Sequence, residues 1–176
     1  MSANYLHGGD ELIKKLKDIA KNMQGSLRVG FMEEATYPNE TPVAAVAYWN
    51  EYGKKNQPPR PFFRTMVEEQ LSTWPEKMAS WAKKDNYDSK KVFLKLGLDI
   101  SGRLRKSIIK FVSPPLSEVT LMLRKMKWSN PETITLADVI EAAERVAKGK
   151  KGAVGTQAKP LIWTGHMLKS IAYQIK

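Results

Sequence analysis

Between residues 89 and 111, Val92, Leu96, Ile100, Leu104, Ile108 and Phe111 recur at steps of four and finally three. That spacing lays them along one face of a single helix. A helix of this length measures about 34 Å at 1.5 Å per residue, roughly the diameter of a small domain. Every other element must therefore be arranged along it. Asp88 or Ser89 is placed to start this helix, and the pair Pro114-Pro115 closes the segment. Gly97 and Gly102 lie inside it, each costing about 1 kcal/mol relative to Ala. The expected compensation is close approach of another backbone.

The elements around this axis follow from periodicity and punctuation. Leu12, Ile13, Leu16, Ile19, Ala20 and Met23 predict an amphipathic helix over about 11–24, with Asp10 as N-cap and Gly25 as its stop. Residues 27–32 alternate as a strand does. The loop 33–41 ends at Thr41-Pro42, read as N-cap and first helical residue of a helix from Val43 to Tyr52 that stops at Gly53. A further helix is predicted from Pro61, with Phe62, Phe63, Met66, Val67, Leu71 and Trp74 on its buried side, and Pro75 either kinks it or opens a new one. Ser117 caps a helix over 118–126, and Thr135 with Asp138 forms a capping-box-like start for one over 136–148. Residues 148–159 are rich in Gly and Lys, with little to bury, and predict a mobile loop. Thr164 is placed to cap a short helix over 165–170, and 171–176 alternates as a strand. The fold class expected is α+β: several helices, one of them long, on a small and mainly antiparallel sheet. The 176 residues form one domain in this reading, with 113–160 as an arm or loop insertion.

Composition excludes several classes. Cysteine is absent, so no disulfide or cysteine-based metal site exists. The first residues lack a basic stretch followed by an apolar run, so no signal peptide is expected. No apolar stretch approaches the roughly 20 residues that span a bilayer, and no membrane partner is expected. The net charge of +11 favours acidic partners, nucleic acid among them. Lys148, Lys150, Lys151 and Lys159 are the candidates for DNA-facing positions, with Arg103, Arg105, Lys106, Lys110, Arg124, Lys125 and Lys127 as further basic residues.

A search for chemistry finds little. The two histidines, His7 and His166, stand apart from each other and from any acidic cluster with metal-ligand spacing. Glu33-Glu34 and Glu68-Glu69 are sequence neighbours, which do not face each other across a cleft. Residues 149–156 lack the Gly-Lys-Ser/Thr ending of a phosphate-binding loop. No catalysis and no cofactor are expected.

Three short stretches remain: Asn50-Glu51-Tyr52-Gly53, Pro58-Pro59-Arg60-Pro61-Phe62-Phe63, and Pro160 to Ile171. In the second, prolines fix the backbone around Arg60, which is expected to present its guanidinium to a partner surface. Asn50 to Gly53 followed by Pro59-Arg60-Pro61-Phe62 resembles the "N-E-[FY]-G … P-x-R-P-F" segment of the neck and tail-completion proteins of tailed bacteriophages, a group that includes minor tail protein Z of lambda-like phages and related head–tail joining proteins. Pro114-Pro115-Leu116-Ser117 with Thr120 resembles a "P-P-L-S-x-x-T" stretch of the related virion-morphogenesis proteins. Pro160-Leu161, Thr164-Gly165 and Ser170-Ile171 resemble their closing "P-L-x-x-T-G-x-L-x-x-S-I" element, with Trp163 where an acidic residue is common and Met167 near the usual Leu.

The resemblance implies a virion structural protein at the neck or head-proximal end of the tail, made in the host bacterial cytoplasm. It implies assembly into a ring around the DNA channel, expected to be a hexamer, against adjoining head–tail connector or tail terminator and tube proteins. Asn50, Glu51, Tyr52, Gly53, Arg60, Pro61, Phe62, Thr164, Gly165, Ser170 and Ile171 are then the expected subunit or ring interface. The alternative is a basic protein that binds nucleic acid without sequence preference.

Overall fold

The computed structural model describes residues 9–176; His7 and the first residues lie outside them. The architecture is α+β, with helices around a two-stranded antiparallel sheet. In chain order the elements are α1 (Gly9–Asn22), β1 (Leu27–Phe31), α2 (Val43–Tyr52), α3 (Phe62–Gln70), α4 (Trp74–Lys84), α5 (Ser89–Lys110), α6 (Glu118–Met126), α7 (Leu136–Ala147), α8 (His166–Lys169) and β2 (Ile171–Ile175). Short 3₁₀ turns at Leu71–Thr73, Pro131–Thr133 and Gly155–Ala158 join some of them. None of the described helices is long and apolar enough to cross a membrane.

The sheet pairs the two ends of the described chain. Leu27 faces Ile175, Val29 faces Tyr173 and Phe31 faces Ile171. With a side-chain period of two, these three pairs share one face of the ladder. A two-stranded sheet is marginal alone in water, and here both strands pack on α5. Gly97 of α5 leaves room for that packing: a Cβ there would sit 2.7 Å from the Tyr173 ring. The close neighbour is thus an aromatic ring, not the backbone expected from sequence. Gly102 has no such neighbour; a Cβ there would meet nothing within 4 Å.

The stripe on α5 is the core as its spacing predicts. Val92, Leu96, Leu104 and Ile108 are buried, and Ile100 and Phe111 are half-buried. Val43, Ala47, Phe62, Met66, Leu161, Ile162, Met167 and Ile171 close over its C-terminal half. The Asp88 carboxylate caps α5 by accepting from the Lys91 amide. Pro75 opens α4, a position where a missing N–H costs nothing. Ser117 and the Thr135–Asp138 capping box start α6 and α7, and these two helices pack on each other.

Several expectations need correction. Gly165 rather than Thr164 is the N-cap residue of α8, which spans His166–Lys169. Asp10 lies inside α1 rather than capping it, and Pro42, not Thr41, occupies the N-cap position of α2, where it supplies no side-chain hydrogen bond. The apolar stripe of α1 stays open among the described residues: Leu12, Ile13 and Leu16 are all more than half exposed, and the helix buries no residue. The stretch 148–159 is not a loop without anchors. Gly152 and Ala153 are buried, the Ala153 amide donates to the Leu121 carbonyl at 2.9 Å, and the Lys125 ammonium donates to the Lys151 carbonyl at 3.2 Å. Only glycine fits at 152, where a Cβ would lie 2.6 Å from the α6 backbone. What is buried here is a glycine backbone, which has no apolar side chain to mark it in the sequence.

Candidate functional site

The first two motifs meet where α2 turns into α3. Gly53 ends α2 at φ +79°, and a Cβ on it would lie 2.8 Å from the Gln57 carbonyl oxygen. A side chain is excluded both by that left-handed conformation and by the contact. The turn behind it is pinned by Asn50, whose Nδ2 donates to the Val46 carbonyl at 2.8 Å and whose Oδ1 accepts from Gln57 Nε2 at 3.0 Å. The Arg60 amide then donates to the Asn50 carbonyl at 2.6 Å, bringing the chain back alongside α2.

Glu51 fastens the next helix. Its carboxylate accepts from the Phe63 amide at 2.9 Å, from the Arg64 amide at 3.1 Å and from Arg64 Nε at 2.9 Å. Phe63 and Arg64 stand in the first turn of α3, whose amides have no partner inside the helix and whose dipole favours a negative charge. Tyr52 lies under the same guanidinium, 4.7 Å from ring centre to Cζ. Phe62 is buried in the core, and its carbonyl accepts from Ser107 Oγ of α5 at 2.7 Å. Pro61 is the N-cap residue of α3.

Arg60 does not present its guanidinium outward. It is 5 % exposed and donates through Nε to the Pro114 carbonyl at 3.3 Å. It therefore ties the α2–α3 turn to the residues that follow α5. Burial pulls its pKa below the ordinary arginine value.

A second buried arginine completes the arrangement. Arg124 of α6 is 3 % exposed, and its Nη1 reaches the carbonyls of Gln157, Lys159 and Ile162 at 2.6–2.8 Å while Nη2 reaches that of Pro160 at 3.2 Å. The guanidinium sits 5.0 Å from the Trp163 ring centre, and Trp163 Nε1 donates to the Trp128 carbonyl at 3.2 Å. Burial, and then the like charge of Arg60, lowers its pKa to about 10. Sequence alone groups Arg124 with the other basic residues. No local signal marks it for burial: Ser117, Thr120, Arg124 and Lys127 share one polar side of this helix, and the acceptors of Arg124 come from a distant part of the chain.

The closing motif is also internal. Gly165 adopts φ +75°, Thr164 Oγ1 accepts from the His166 amide at 3.3 Å, and Ser170 Oγ donates to the His166 carbonyl at 2.9 Å. Ile171 is buried and begins β2, with its carbonyl held by Arg105 of α5 at 2.7 Å. His166 lies 2.8 Å from the Thr36 carbonyl and stacks on Tyr37. Its ring Nε2–H donates there, which fastens the loop before α2.

The expected interface is accordingly revised. Glu51, Arg60, Phe62 and Ile171 are buried within the subunit, and Asn50, Gly53, Pro61, Gly165 and Ser170 are partly covered. Only Tyr52 and Thr164 remain exposed. Tyr52 stacks with the exposed Tyr48 at 4.7 Å, which makes an aromatic surface on α2. Among the basic candidates, Lys148, Lys150 and Lys151 are exposed, whereas Lys159 is half-buried and donates to the Ile109 carbonyl at 2.8 Å. Arg103 pairs with Asp99 at 2.9 Å.

Between the α2–α3 turn, the start of α6 and the 160–167 segment lies a cleft of about 1290 Å³. Lys54, Lys55, Arg60 and Arg124 line it, against the single carboxylate of Glu132. Among the described residues no three His, Asp or Glu side chains come together as a metal site. Comparison with protein-family models, with curated proteins and with solved structures gave no match.

Proposed function

We propose that this chain is a structural protein of a tailed-phage virion. It completes the tail or joins it to the head by forming a ring around the DNA channel. One observation supports the reading above others: the motif residues coincide with the joints of the fold. Asn50, Glu51, Gly53 and Arg60 fix the α2–α3 turn, and Thr164 to Ile171 return the chain to the sheet. A motif series that resembles a family is here the set of residues that determines how the helices meet. The partners in this reading are further copies of the chain, expected as a hexamer, and adjoining connector or tail terminator and tube proteins. Such ring contacts are heterologous, with closure setting the copy number.

The test is native mass spectrometry and negative-stain imaging of the purified chain, with peptide mass spectrometry of particles of the phage that encodes it. Ring-sized particles and copies in the virion are expected. A chain that stays monomeric at every concentration and is missing from particles overturns the proposal.

A second reading, contact with nucleic acid through charge alone, is favoured by the exposed Lys148, Lys150 and Lys151 after α7. Duplex DNA titrated at several salt concentrations tests it: affinity should fall steeply with salt. Absence of binding near physiological salt removes it as a primary function.

A further inference from the structure

Two helices of this chain carry an apolar face that stays largely exposed among the described residues. On α1 the face is Leu12, Ile13 and Leu16, continued by the half-buried Ile19 and Met23. On α7 it is Leu136, Val139 and Ile140, continued by the exposed Ala143 and Ala147. Both stripes run over eleven steps, from 12 to 23 and from 136 to 147, or about 16 Å along a helix. Their intervals of three and four are those by which one helix seats its side chains in the grooves of another. Ala142, on another side of α7, is fully buried, so the exposed stripe is a second face beyond the one that packs on α6.

The charges beside the stripes are opposite. At 100° per residue, Lys15 and Lys17 border the α1 stripe on its two sides, whereas Glu141 and Glu144 border the open edge of the α7 stripe. Counting α1 from Gly9 to Asn22, four lysines stand against three acids; α7 has three acids against one arginine. In a chain of net charge +11, α7 is net acidic beside its open apolar face. Its complement is on the same chain.

We infer that α1 of one copy docks on α7 of the next copy. The two faces differ, so the contact is head-to-tail; repeated, it closes into a ring or continues as a filament. The inference extends the assembly reading above by naming the surfaces, and it rests on that reading only in taking the chain to self-associate.

Mixing two variants tests it. Leu12→Asp with Leu16→Asp disables the α1 face; Leu136→Asp with Ile140→Asp disables the α7 face. All four side chains are exposed, so both variants should keep the far-ultraviolet circular dichroism of the parent. Each alone should be monomeric by native mass spectrometry under conditions where the parent assembles. Mixed, they retain one intact face of each kind and should form a 1:1 heterodimer that grows no further. Glu141→Lys with Glu144→Lys should weaken parent assembly at least tenfold, and Lys15→Glu with Lys17→Glu on the partner should restore it.

Unchanged assembly of both variants overturns the docking while leaving the ring standing. Monomers that do not pair on mixing also overturn it. A parent chain that is monomeric throughout overturns both readings. Co-sedimentation of a monomeric parent with anionic lipid vesicles, lost in the α1 variant, assigns that face to a lipid surface instead.

Discussion

Removing the Glu51 carboxylate should unfasten α3 from α2, and the size of the loss can be worked from the geometry. In Glu51→Ala two first-turn amides, those of Phe63 and Arg64, lose their acceptor. Each loss in a largely covered site costs about 1–2 kcal/mol. The Arg64 side chain is 49 % exposed, so its ion pair with Glu51 is screened and adds under about 1 kcal/mol. The sum is about 3 kcal/mol, and for a chain of this length it lowers Tm by about 6–12 °C. Glu51→Gln keeps one carbonyl oxygen for one amide but turns an NH₂ toward the other, so it should lose about half as much. Urea unfolding of the three proteins, followed by circular dichroism, reads both the size and the order. If Glu51→Ala stays within about 0.5 kcal/mol of the parent, or if Gln is as damaging as Ala, the carboxylate does not cap α3 in solution.

Two glycines of α5 should respond with opposite sign. Gly102→Ala adds a methyl to open space and removes a flexible helix residue, so it should stabilise by about 0.5–1 kcal/mol. Gly97→Ala drives a methyl against the Tyr173 ring and should destabilise by about 1–3 kcal/mol; paired thermal melts check both. Arg124→Met removes the donor shared by four carbonyls of the 157–162 segment. Hydrogen exchange should then rise in 152–165 while the protection of α5 is kept. Asp138 has its pKa lowered, first by the Thr135 amide it accepts from, then by the Thr135 hydroxyl and Lys127. A depressed carboxylate stabilises above its unfolded pKa of about 3.9, and that contribution is lost as pH falls through the lower folded value. Asp138→Asn should therefore flatten the part of the acid-unfolding curve below about pH 4 that reports α7.

How much was legible in the chain depended on whether the determinant was local. The α5 stripe, the capping box at Thr135 and the start of α6 at Ser117 are set by spacing and by side chains three residues apart, and each formed where predicted. Val43–Tyr52 likewise ended at Gly53. The partner of a polar group was not legible. Nothing in Pro58–Phe63 shows that Arg60 turns inward to the Pro114 carbonyl, 54 residues away. The same holds for Arg124, whose four acceptors lie 33 to 38 residues on. An isolated arginine is costly to bury, so its sequence surroundings point outward. The structure offsets that cost with aligned carbonyls that belong to another part of the chain.

That difference bears on what a motif resemblance can transfer. Residues such as Gly53, Glu51 and Arg60 are fixed by contacts inside the subunit, where an added methyl or a lost charge has a definite cost. They specify how α2, α3 and the end of α5 are set against one another, and so the angle at which outer helices are held. The open apolar faces of α1 and α7 contain none of the motif residues; among the expected interface residues only Tyr52 and Thr164 are exposed. An interface between copies of one chain is constrained only by its own partner face, and both can change together. A fixed joint inside the subunit and a separate contact surface are what such a division produces. Glu51→Ala should then disturb assembly only in proportion to the fraction unfolded, whereas Leu12→Asp with Leu16→Asp should abolish it in a fully folded chain. If assembly fails in Glu51→Ala at temperatures well below its Tm while the α1 variant assembles normally, the joint itself is the contact surface and the division drawn here is wrong.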